Sequence, residues 1–155
     1  MKVVKTIVIL FSLCCASSLY SQDSDVIEGW KAFAKVRFRP TLMEEDEGYL
    51  LVPQFGKRIK ELEGKSVKLK GYVMPFDYGD ENFVILSRYP YTSCFFCGAA
   101  GPESVAEIHF TETPPKFKPD EQITIVGELS LNQDNIEHMN FILEKSKIKN
   151  EWTLR

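Results

Sequence analysis

Two of the chain's four cysteines stand one turn apart, in Cys94-Phe95-Phe96-Cys97-Gly98. Thiols at that spacing can do three kinds of chemistry. They can place two thiolates on one metal ion, because the turn between them curls its N–H groups toward the sulfurs and Gly98 suits the tight turn. They can act as a redox pair, which asks for an exposed Cys94 whose pKa is lowered at a helix N-terminus. They can also close a structural disulfide, although so short a loop gains little from cross-linking.

A zinc site on these thiols needs two more donors, and the chain's only imidazoles are His109 and His138. His109 falls on an alternating segment, Ser104 to Phe110, where Val105 and Glu107 share its side while Ala106, Ile108 and Phe110 face the other way. Glu107 and His109 are thus expected to converge near the cysteine loop. The metal set read from the sequence is Cys94, Cys97, His109 and Glu107, with zinc or copper as the ion and His138 or Glu103 as further donors. The redox reading is weaker, since Ala99-Ala100-Gly101-Pro102 does not continue a helix and no βαβ pattern surrounds the motif.

Other site chemistry is sparse. The chain has no Gly-rich phosphate loop, no G-x-S-x-G elbow and no H-E-x-x-H, so no catalytic residue and no organic cofactor is expected. Tyr89, Tyr91, Phe95 and Phe96 surround the thiols. Most read as packing, but an aromatic rim around a polar loop also suits contact with a partner.

The thiols must be held by surrounding elements, and those read as strands. From Trp30 the chain alternates, with Trp30, Ala32, Ala34, Val36 and Phe38 on one side and Lys31, Lys35, Arg37 and Arg39 on the other, which predicts a half-buried strand. A helix from Val26 to Phe33 competes, because Val26, Trp30 and Phe33 share a helical face. The acidic run Glu44 to Glu47 reads as a solvated loop, and Lys57 to Leu62 as a short helix closed by Gly64. Five strands follow: Ser66 to Met74 with Gly71 at a bend, Phe83 to Tyr89, Ser104 to Phe110, Gln122 to Leu131 and Met139 to Ile148. Phe76 to Asn82 and Asn132 to Asn135 are turns. Val67, Leu69, Val73, Ile123, Ile125, Leu129 and Phe141 form the expected core.

Residues 1–21 have the layout of a secretory signal peptide, with Lys2 and Lys5 ahead of an apolar run from Ile7 to Ala16 that is too short to span a bilayer. Cleavage after Ser18 or Ser21 fits, and the latter leaves Gln22 first. Leu13 ahead of Cys14 is not the small residue that a lipidated cysteine needs. Removal of residues 1–21 takes away two lysines and no acid, moving the formal net charge from −3 to −5, a balance that speaks against a nucleic-acid surface. The remaining residues 22–155 fit one domain without a second apolar stretch of membrane length.

The phrase Gly64-Lys65-Ser66-Val67-Lys68-Leu69-Lys70-Gly71-Tyr72-Val73 resembles the opening of OB-fold domains. The usual helix between the third and fourth strands is not expected here, because Pro114, Pro115 and Pro119 break the connecting segment. The expected fold is therefore mainly β, a small OB-like five-stranded barrel with an N-terminal strand and short helix as an extension. The chain also resembles a family of exported bacterial proteins with a domain of unknown function, found in the Bacteroidetes and proteobacteria. That resemblance covers about Trp30 to Ile148. It rests on Gly64-Lys65, Gly71-Tyr72-Val73-Met74-Pro75, Cys94-Phe95-Phe96-Cys97-Gly98 and Gly101-Pro102-Glu103-Ser104. It implies export and an OB-like fold, and carries over no activity to particular residues.

Two functions remain open on the sequence. One is an exported, periplasmic or secreted metal-binding accessory protein that handles zinc or copper through Cys94 and Cys97. The other is a non-catalytic binding module for a periplasmic protein or small ligand with a structural Cys94–Cys97 disulfide, and a thiol-disulfide redox protein is the further alternative.

Overall fold

The computed structural model describes residues 26–42, 48–76 and 82–149. The signal layout, the acidic run Glu44 to Glu47 and most of the turn after Phe76 lie outside the described residues.

Alternation drives the architecture. In β4 (Ser66–Val73) the apolar residues Val67, Leu69 and Val73 are buried while Ser66 and Lys70 are exposed. Such a strand must lay one face on a core, and it does so by curling with four others into a closed barrel. These are β5 (Phe83–Ser87), β6 (Val105–Phe110), β7 (Gln122–Leu131) and β8 (Phe141–Ile148). Their order around the barrel is β4-β5-β6-β8-β7 and back to β4. All pairings are antiparallel except β6 with β8, which is parallel. Numbered from β4, this is the 1-2-3-5-4-1 connectivity of the OB fold. Every residue of the expected core is buried. The segment between β6 and β7 contains no helix, as its prolines require.

Gly71 marks the point where β4, still paired with β7 through Tyr72, meets β5 along its other edge. Tyr72 and Val73 pair with Ser87 and Leu86 there, and a Cβ on Gly71 would run into the Ser87 carbonyl oxygen. A residue without a side chain is what lets the two strands approach.

The N-terminal extension departs from the expected strand. Ile27 and Glu28 form β1, parallel to the start of β4, and Gly29–Phe33 are α1, a short helix. The strand from Trp30 to Phe38 is therefore corrected: Trp30 to Phe33 belong to a helix, and only from Arg37 does β2 (Arg37–Leu42) begin. Phe33, the residue that broke the alternation, explains why. It is fully buried and stacks on Phe141 with centroids 4.1 Å apart, while Trp30 meets it edge-on and donates its indole N–H to the Lys70 carbonyl. Only a helical turn puts Trp30 and Phe33 on one side against the barrel. β2 pairs with β3 (Tyr49–Gln54) in a separate hairpin, and α2 (Lys57–Lys60) leads through a turn at Gly64 into β4. No helix among the described residues is long and apolar enough to cross a membrane.

Candidate metal centre

β6 has two faces with different tasks. Ala106 and Ile108 point into the barrel core, whereas Val105, Glu107 and His109 line the outer face, the division expected from alternation. Glu107 is nevertheless only 1% exposed. A carboxylate so deeply covered needs strong partners, because desolvating a charge without compensation is costly.

It has three partners. Oε1 lies 2.6 Å from His109 Nε2 and 2.8 Å from His138 Nδ1, and Oε2 accepts the Met139 backbone N–H at 2.9 Å. Both imidazoles therefore converge on one carboxylate oxygen while the other oxygen is held by the backbone. The ligand atoms of Glu107, His109 and His138 all lie within 4.8 Å of one another, the one such group of three among the described residues.

Each histidine is placed by a different device. His109 sits opposite Phe83 in the β5–β6 ladder, and the two rings stack at 5.4 Å with 16° between their planes. His138 arrives on the β7–β8 connection, which Asn132 ties into shape. Its side-chain amide donates to the carbonyls of Asn135, His138 and Met139, and its oxygen accepts from Asn135 N–H. The turn expected at Asn132 to Asn135 is thus the hinge of a loop that folds His138 back over β6.

The arrangement suits a divalent transition ion. Two imidazoles and one carboxylate are a known zinc donor set, and both rings are partly exposed to solvent. In a tetrahedral centre with bonds of about 2.0–2.1 Å, neighbouring donors stand about 3.3–3.4 Å apart, so each imidazole would swing outward by about 0.5–0.8 Å. The Met139 N–H on Oε2 is the kind of outer partner that orients a ligating carboxylate.

Of the residues singled out in the sequence, Glu107 and His109 fall in this group, and His138 completes it. Cys94 and Cys97 are free thiols with sulfurs 4.0 Å apart, close to the roughly 3.8 Å that two thiolates keep on one tetrahedral zinc. They form a pair of their own, without a third His, Cys, Asp or Glu in reach among the described residues. Glu103 joins neither group. The two sets are nonetheless neighbours on one face. Cys94 is buried with Met74, Ile85 and Val105, and Phe83 and Met139, which touch the histidine group, pack against the same cluster.

Within the cysteine turn, Gly98 takes a positive φ of 74°, which residues with a Cβ adopt reluctantly. Cys97 is exposed and donates to the Tyr91 carbonyl at 2.9 Å. Partial desolvation, its hydrogen bond with Cys94 and the charge of that neighbour push the Cys97 thiol above the ordinary cysteine value. A catalytic redox pair needs the opposite, an accessible sulfur with a lowered pKa, and Cys94 is fully buried. Tyr89, Tyr91 and Phe96 are each about 40% exposed and form the aromatic rim, whereas Phe95 packs against the Cys94 cluster.

A groove of about 320 Å³ opens beside His138 and Met139, walled by Leu50, Phe95, Val105 and Ile136. No protein-family model, curated protein or solved structure matches this chain.

Proposed function

We propose that this protein binds a divalent transition ion, zinc or copper, on Glu107, His109 and His138. The observation that carries the reading is the convergence of both of the chain's imidazoles on one oxygen of a buried carboxylate. The signal-peptide layout at residues 1–21 supports export, which fits an accessory role in metal handling outside the cytoplasm. Cys94 and Cys97 then serve as a neighbouring thiol pair that stiffens the adjacent loop.

The test is zinc and copper titration of the full chain by calorimetry and native mass spectrometry, with three variants. His138→Ala and Glu107→Gln should abolish retention of the ion, while the double variant Cys94→Ser, Cys97→Ser should keep it. Loss in the cysteine variant with retention in His138→Ala would return the site to the thiols. Loss in none would dismiss the centre altogether.

A second reading, a binding module, draws on one observation. Tyr49 is 73% and Ile136 66% exposed beside the groove that His138 lines. Large apolar side chains left in water around a concave surface are a common sign of a contact site. If the module reading holds without metal, a partner should engage the His138→Ala variant as well as the native chain.

A further inference from the structure

The basic side of the segment Lys31 to Arg39 has no part in the metal centre, yet the structure puts it to a definite place. Where α1 ends and the β2–β3 hairpin opens, a cavity of about 480 Å³ lies between that segment and α2. Its volume falls in the range of about 300–1,000 Å³ usual for small-molecule sites.

The cavity is divided by chemistry. Its floor is apolar, built from Ala32, Val36, Ile59 and Leu62. Its rim is cationic, with Lys35 and Arg37 on one side and Lys57 and Arg58 on the other, and no carboxylate contributes to the lining. Lys57 has a loose surface pair with Glu61 at 3.9 Å; Lys35, Arg37 and Arg58 are not paired with any carboxylate of the described residues. Four cations around one opening stand out in a chain whose formal net charge is −3. Like charges gathered without acids repel one another, and an anion at the mouth would relieve that repulsion.

We propose that this cavity binds a single-chain amphiphile with an anionic head, a fatty carboxylate or an alkyl phosphate. The chain lies on Ala32, Val36, Ile59 and Leu62, and the head sits among Lys35, Arg37 and Arg58. A simple inorganic anion would leave the apolar floor wet, and a neutral chain would leave the four cations uncompensated. Both halves of the cavity are used only by a ligand with both characters. The site stands apart from the metal centre and does not depend on it.

The experiment is calorimetric titration of the full chain with dodecanoate and with dodecyl phosphate, each below its micelle concentration. Dodecanol, inorganic phosphate and vesicles of phosphatidylcholine with phosphatidylglycerol are the comparison arms. Either or both anionic amphiphiles should bind with saturation, the two differing only in head preference, while dodecanol and phosphate should not. The double variant Arg37→Glu, Arg58→Glu touches exposed residues only and should weaken binding about tenfold or more, by losing two rim cations and adding two acids. Ala32→Leu, which narrows the floor, should weaken dodecanoate more than octanoate. Equal binding of phosphate alone or of dodecanol, binding to vesicles but to neither monomer, or unchanged affinity in both variants would overturn the proposal. So would the absence of binding by either anionic amphiphile.

Discussion

His138 Nδ1 lies 2.8 Å from Glu107 Oε1 although 31 residues separate the two in the chain. The contact joins the outer face of β6 to the loop between β7 and β8, and the same carboxylate takes the next backbone N–H, that of Met139. Glu107 therefore fastens the loop and gathers the imidazoles at once.

Removal of that fastening should be felt in stability. Glu107→Ala leaves the Met139 N–H without its acceptor and opens space beneath both rings, so thermal or denaturant unfolding should show a loss of about 1–3 kcal/mol. A change below about 0.5 kcal/mol would mean that the loop is held in place by other contacts.

Asn132 touches neither Glu107 nor an imidazole ring, but it sets the course of the loop that carries His138. If the proposed centre holds zinc, Asn132→Ala should reduce that affinity about 10–100-fold with Glu107, His109 and His138 all still present, as measured by competition with a chelating dye. Native affinity in this variant would show that Asn132 does not position His138.

The thiol of Cys97 is held on the protonated side. Its pKa is raised by desolvation, by its hydrogen bond with Cys94 and by the charge of that neighbour, so at pH 8 a smaller share is thiolate than in an ordinary cysteine. Since only the thiolate is alkylated, iodoacetamide should label Cys97 more slowly than it labels a free cysteine peptide at pH 8. The rate should climb with pH and keep rising above the range where the peptide has levelled off. Labelling faster than the peptide at neutral pH would contradict this and revive the redox reading.

Leu69 is fully buried on the core side of β4. Leu69→Ala should cost about 2–5 kcal/mol in equilibrium unfolding, through lost burial and the cavity left behind. A loss under about 0.5 kcal/mol would mean that the face of β4 turned to the core is misassigned.

Much of the barrel could be read from residues alone. Alternation in Val67, Leu69 and Val73, in Ile123 and Ile125, and in β6 marks which face meets the core, because a strand has only two faces and burial selects one. The glycine at 71 and the prolines at 114, 115 and 119 likewise act locally, by what they allow or forbid in the backbone. That Glu107 and His109 share one side of β6 also follows from period two. Around Trp30 the local signal failed, since small alanines fit either period, and the stacking of Phe33 on Phe141 more than a hundred positions away decided for a helix.

The membership of the site was decided by tertiary structure. Spacing along the chain groups Glu107 and His109 with Cys94 and Cys97, which are nearer, and leaves His138 as a further donor. Folding brought in His138 instead, because β8 runs parallel to β6 and the loop entering β8 must pass across the same end of the sheet where Glu107 emerges. Strand order around a closed barrel depends on long-range pairing, which no local pattern of residues encodes. The types of donor were legible in the chain, and which of them meet depends on how the barrel closes.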